Sequence, residues 1–130
     1  MLRVMNKRDE VLIVNDQRGC PTYAHDLAEA LCTIISMDSR SFGIYHYTNE
    51  GETTWFEFAR EIYKLGRESG RIQRQCEVRP ITTDRYPTKA PRPMYSVLSK
   101  AKIKQTFGMA IPTWKDGLKR FFAELEEEQA

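Results

Sequence analysis

Apolar residues along this chain fall into short runs and helical stripes separated by polar turns, and the alternation predicts the elements. Leu2, Val4 and Met5 suggest the end of a helix, and Asn6 to Glu10 is an unbroken polar connection. Val11-Leu12-Ile13-Val14 reads as a buried strand. Leu27, Ala28, Leu31, Ile34 and Ile35 then share one face of a helix from about Thr22 to Met37. After a polar break at Asp38 to Ser41, Gly43 to Tyr47 reads as a second strand, closed by the turn residues Asn49-Glu50-Gly51. Thr54 and Glu57 have the spacing of a capping box. The helix they open carries Trp55, Phe58, Ala59, Ile62 and Tyr63 at helical spacing, so Trp55 and Phe58 are expected in the core. It fades through Gly66 to Gly70. Cys76 to Ile81 reads as a third strand, an edge strand because of Pro80. Ser99 can cap a short helix of about Lys100 to Phe107, which Gly108 ends. Thr113 and Asp116 take capping-box positions at the last helix. Its apolar stripe is Trp114, Leu118, Phe121, Phe122 and Leu125, and an acidic tail follows over Glu124 to Glu128.

These elements predict an α/β fold of about three short strands and four helices, with one layer of helices left partly uncovered. A length of 130 residues suits one domain, taken as 1–130. The net charge of +2 gives no strong pull toward nucleic acid or a membrane surface. The basic run Arg71 to Arg74 lacks the interleaved aromatic residues that single-strand binding favours. No apolar run approaches the ~20 residues of a membrane helix, and Met1 to Lys7 lacks a signal-peptide core. Cys20, Cys32 and Cys76 are odd in number and widely spaced, which points to free thiols in a reducing compartment, the cytoplasm. Cys20, His25 and Cys32 match no zinc spacing, so no metal site is assigned. His46 reads as a strand histidine with no acidic partner near it.

Candidate chemistry concentrates in two loops. Asp16 to Leu27 joins a strand to a helix, the position where open α/β sheets bind ligands. Gly19 permits a tight turn, Pro21 fixes the backbone, and Thr22 is placed to cap the helix. Asp16, Gln17 and Thr22 either line a ligand site or hydrogen-bond within the loop. The second loop, Thr82 to Pro93, holds Pro87, Pro91 and Pro93 with Arg85, Lys89 and Arg92. Long loops without periodicity in compact domains are often functional.

The first loop also carries a resemblance. Asp16-Gln17-x-Gly19-x-Pro21-Thr22-x-x-x-Asp26-Leu27-Ala28 resembles the signature loop of the dTDP-4-dehydrorhamnose reductase family, within the extended short-chain dehydrogenases. Three further segments resemble the same family in the same order. They are Gly43-x-Tyr45-His46-x-x-Asn49-x-Gly51 through Trp55, Phe58, Ala59 and Ile62; Val78-x-Pro80-Ile81 through Tyr86-Pro87, Ala90, Arg92-Pro93, Tyr95-Ser96 and Leu98; and Phe107-Gly108, Pro112, Trp114 and Leu118. Together they span about Leu12 to Leu125. Cys20 departs from the Ser or Ala common in the family.

The resemblance implies the carboxy-terminal part of a Rossmann-type fold. It implies a complete enzyme that reduces dTDP-4-dehydro-L-rhamnose to dTDP-L-rhamnose with NADPH or NADH. This sequence has no Gly-rich dinucleotide loop, and no Tyr is followed four residues later by Lys. The expectation is therefore a substrate-binding half with no catalytic residue and no cofactor of its own. The cofactor-binding domain would be absent, and Met1 would fall partway through a helix of the family. Arg92, held between two prolines, is the first candidate for the substrate diphosphate, because Arg is the best bidentate partner of such a group. Asp16, Gln17, Pro21 and Thr22 would line the nucleotide or sugar side, and Tyr95 would pack on the base or in the core. Implied partners are a dTDP-sugar, an amino-terminal half if separately encoded, and a second copy in a homodimer. The alternative is a non-catalytic binding module, resembling the regulatory subunit of methionine adenosyltransferase, or an inactive truncated product.

Overall fold

The computed structural model describes residues 1–127. The acidic tail Glu124 to Glu128 thus lies partly outside the described residues. In chain order the elements are α1 (Leu2–Met5), β1 (Glu10–Val14), β2 (Arg18–Gly19), α2 (Ala24–Ser36), β3 (Thr53–Thr54), α3 (Trp55–Glu68), β4 (Glu77–Ile81), α4 (Ala101–Phe107) and α5 (Trp114–Glu127). A single 3-10 turn, Thr83–Arg85, follows β4. The class is α/β, as expected.

β1 and β4 pair in parallel, from Glu10 opposite Glu77 to Val14 opposite Ile81. A parallel pair needs a long crossover, which α2 and α3 supply. The pairing runs one step past the strands, where the Asn15 amide donates to the Ile81 carbonyl at 2.9 Å. Both strands therefore end together, and their loops leave from the same edge. A second, two-residue ribbon sets Arg18 opposite Thr54 and Gly19 opposite Thr53, antiparallel.

The main core gathers Met5, Val11, Ala59, Ile62, Ile72, Cys76, Trp114, Leu118 and Phe122. At Gly66 an added Cβ would stand 2.6 Å from Ile72 Cδ1 and 3.0 Å from Leu2 Cδ2. Only glycine lets the chain after α3 fold back this closely. A smaller cluster of Ile103, Phe107 and Ile111 holds Ile34, Tyr45 and Tyr47 against α4. Both expected capping boxes are present. Thr54 Oγ1 accepts from the Glu57 amide at 3.1 Å, and Thr113 Oγ1 accepts from the Asp116 amide at 3.2 Å. Gly108 ends α4 in the left-handed region, at φ 62°. Among the described residues no helix is long and apolar enough to cross a membrane.

Several expectations are corrected. Gly43 to Tyr47 forms no strand: it pairs with neither β1 nor β4, and its Tyr45 and Tyr47 pack instead against the Ile103, Phe107 and Ile111 cluster. His46 is accordingly an exposed loop residue. The apolar stripe of α2, expected only to share one face, is largely exposed: Leu31 is 53% and Ile35 77% exposed, while Asp26 and Ala30 are buried. Trp55 is not core; the residue is 56% exposed. Thr22 does not cap α2, whose N-cap is Tyr23; the N-cap of α4 is Lys100, one residue past Ser99, whose Oγ accepts from the Ala101 amide at 3.5 Å. The exposed stripe of α2 agrees with an incompletely covered helix layer.

Candidate functional site

The loops leaving β1 and β4 are laced together. Asp16 accepts from the Thr83 amide at 2.9 Å and from its hydroxyl at 2.7 Å, and Gln17 Nε2 donates to the same hydroxyl at 3.1 Å. Two steps on, the Arg18 amide donates to the Met94 carbonyl at 2.8 Å, and the Ser96 amide donates to the Arg18 carbonyl at 2.9 Å. The long Pro-rich loop is thus pinned at Thr83 and at Met94–Ser96. The stretch between, with Arg92, is held over the signature loop.

A cleft of about 270 Å³ lies between the two loops and the start of α3. Gln17, Pro21 and Arg92 of the expected residues line it, together with Arg18, Trp55 and Ser96. Asp16, Thr22 and Tyr95 do not. Asp16 is occupied by Thr83. Thr22 borders a separate apolar groove of about 380 Å³ between α3 and α5. The Tyr95 hydroxyl donates to Glu52 at 3.1 Å.

Charge in the cleft is unevenly available. Arg18 pairs with Glu52 at 2.7 Å. The Arg18 guanidinium, and after it the Tyr95 hydroxyl, hold the Glu52 carboxyl below its ordinary range. Arg92 has no carboxylate partner among the described residues. Its guanidinium therefore offers a full set of donors to an anion entering the cleft.

The Thr83 amide, and then its hydroxyl, hold the Asp16 carboxyl below its ordinary value of 3.8. A carboxylate with a lowered folded pKa stabilises the fold above its unfolded value and ceases to as pH falls through the lowered one. The stability difference between the parent chain and Asp16→Asn, read by urea titration, is expected to be constant above about pH 5 and to shrink below about pH 4. A difference that stays constant down to about pH 2 would show that Asp16 does not stabilise the fold through its charge.

Sequence reasoning missed a structural centre behind the cleft. Asp26, 2% exposed, receives the Asn49 side-chain amide at 2.5 Å and pairs with Arg120 at 2.6 Å. Asn49, fully buried, in turn accepts from the Tyr23 amide at 2.7 Å and donates to the Pro112 carbonyl at 3.2 Å. So Asn49, rather than Thr22, ties down the chain entering α2. Gly117 makes room for it, since a Cβ there would come within 2.9 Å of Tyr23 Cβ. The signal available was Asp26 and Asn49, both inside the quoted motifs; their partner Arg120 was not.

His25, Asp26 and Glu29 bring ligand atoms within 4.8 Å of one another. Asp26 is already committed to Arg120 and Asn49, so this cluster is not a ready metal site.

Parallel strands ending at one edge, with a cleft built from their loops, have the arrangement of an α/β ligand-binding fold of Rossmann type. The chain belongs to the family described as the RmlD substrate binding domain, whose model matches residues 1–127. It is 38% identical over 125 residues to the dTDP-4-dehydrorhamnose reductase of Sinorhizobium fredii, covering 92% of this chain and 42% of the relative. It resembles the crystal structure of a Clostridium acetobutylicum dTDP-4-dehydrorhamnose reductase with a TM-score of 0.85 at 34% identity, over 96% of this chain and 42% of that one. The Bacillus anthracis reductase, solved in complex with NADP, matches with a TM-score of 0.84 at 32% identity, over 95% and 41%. The chain thus spans about two fifths of the length of these relatives.

Proposed function

We propose that this chain holds the sugar nucleotide for a dTDP-4-dehydrorhamnose reductase. In that reading the complete enzyme reduces the 4-keto group of dTDP-4-dehydro-L-rhamnose, giving dTDP-L-rhamnose. The observation that carries it is the cleft at the shared strand ends, lined by Arg92, which has no carboxylate partner among the described residues. A nucleoside diphosphate brings a charge that Arg92 can fork, while Gln17 offers an amide and Pro21 a rigid apolar wall. Asp16 acts one step back, fixing the long loop through Thr83. Hydride and proton come from elsewhere: NADPH or NADH and a tuned acid would be held by an amino-terminal half, since this sequence has neither the Gly-rich loop nor a Tyr-x-x-x-Lys. The exposed stripe of α2 gives such a half, or a second copy of the chain, an apolar surface to cover.

Titration calorimetry of the chain with dTDP, and separately with NADPH, tests the reading. Weak dTDP binding without NADPH binding, and no NADPH oxidation with any keto sugar nucleotide, are the expected results. Binding of NADPH without dTDP would overturn the assignment. Binding of neither would favour an inert fragment.

A further inference from the structure

We infer that Trp55 is the seat of the nucleobase, with Arg92 taking the diphosphate in the same cleft. This rests on the reading of the cleft proposed above.

Trp55 is the first residue of α3 and lines the cleft. Its backbone is fixed on both sides. Thr53 and Thr54 before it are buried and paired with β2, and the Thr54–Glu57 capping box closes the turn after it. Yet Trp55, with its large apolar ring, is left 56% exposed as a residue. No ring or cation among the described residues stacks on it. The other tryptophan, Trp114, is 8% exposed and meets Phe58 edge-on in the core. A rigidly mounted indole, unpartnered among the described residues, on the wall of a cleft that also holds Arg92 is a stacking surface for a planar group.

Electrostatics decides which part of the ligand goes there. A helix start normally attracts an anion, but here the Glu57 carboxylate already receives the Thr54 amide, and Thr54 Oγ1 takes the Glu57 amide. The carboxylate adds negative charge at that end. Arg18 is neutralised by Glu52. The diphosphate is therefore directed to Arg92, and the neutral base to Trp55. Tyr95, the other aromatic candidate, is tied to Glu52 and does not line the cleft.

The chain holds two tryptophans, so the part of a quenching signal that is lost in Trp55→Phe reports on Trp55. The chain, Trp55→Ala and Trp55→Phe are titrated with dTDP and with inorganic pyrophosphate, read by fluorescence and by calorimetry. Expected are quenching by dTDP and not by pyrophosphate, and a loss of about 5- to 100-fold in dTDP affinity for Trp55→Ala. Pyrophosphate affinity should stay unchanged, and Trp55→Phe should recover most of the dTDP affinity. Unaltered dTDP affinity in Trp55→Ala would overturn the inference and leave the cleft reading standing. So would an equal loss for both ligands, or equal parent affinity for dTDP and pyrophosphate. Absence of binding by the parent to either ligand would overturn the cleft reading itself, and this inference with it.

Discussion

Arg120→Ala is expected to destabilise the chain by about 3–5 kcal/mol, the cost of leaving a buried charge without its partner. Against a typical total of roughly 5–15 kcal/mol, that is about a fifth of the stability or more. The asymmetry of the pair makes this the sharper of the two possible truncations. Asp26 has a side chain only 1% exposed, while that of Arg120 is 39% exposed. Removing Arg120 leaves a carboxylate that cannot reach water and keeps only the Asn49 amide. Removing Asp26 leaves a guanidinium that can turn outward, so Asp26→Ala should cost less than Arg120→Ala. Urea unfolding of both variants, at pH 7 and equal ionic strength, checks the order. If Arg120→Ala costs under about 1 kcal/mol, the pair behaves as an ordinary surface ion pair and the centre behind the cleft is not held by it.

That centre illustrates what the sequence could and could not disclose. Capping boxes were legible because Thr54–Glu57 and Thr113–Asp116 are local patterns, three residues apart, whose geometry is set by the helix they start. β1 and β4 were legible from their apolar residues. The Asp26–Arg120 pair joins residues 94 positions apart, and no periodicity marks it. The start of α2 was misread for the same reason: the group that binds the Tyr23 amide comes from Asn49, 26 residues away, and displaces the local candidate Thr22.

Gly43 to Tyr47 and Trp55 fail differently. The first has the composition of a strand, with Tyr45 and Tyr47 turned toward α4 while Ile44 stays 80% exposed. A strand exists only where its backbone pairs with another, and here the tyrosines pack on α4 while the backbone pairs with neither open edge of the β1–β4 sheet. Trp55 sits at helical spacing from Phe58 and Ile62, but as the first helical residue it lies where the chain arrives from β3, and its ring faces the cleft rather than the core. Resemblance to the reductases found the loops that form the site, whereas which side chains face the cleft depended on the cross-loop bonds at Thr83 and Met94–Ser96. Asp16 shows this: it belongs to the signature loop, yet its work is to fasten Thr83.

Arg92→Ala is expected to weaken dTDP binding by roughly ten- to a hundredfold, the equivalent of losing charge-assisted hydrogen bonds that contribute about 1.5–3 kcal/mol. Among the basic residues of the long loop, Arg92 lines the cleft; Arg85 and Lys89 do not. Arg18 lines it too, but its guanidinium is engaged by Glu52 at 2.7 Å. Arg92→Lys keeps the charge and loses the planar fork, so it should recover only part of the affinity. The fold should be indifferent to either change, because Arg92 is exposed and has no ion-pair partner to strand among the described residues. Dissociation constants for dTDP and thermal midpoints are measured together, on the chain and on the chain joined to a cofactor-binding half of a related reductase. Unchanged dTDP affinity in Arg92→Ala would move the diphosphate to Arg85 or Lys89. A lowered thermal midpoint with that substitution would make Arg92 a brace of the Pro-rich loop instead. Loss of affinity at a constant midpoint, partly restored by lysine, is the result that only a guanidinium gripping the diphosphate produces.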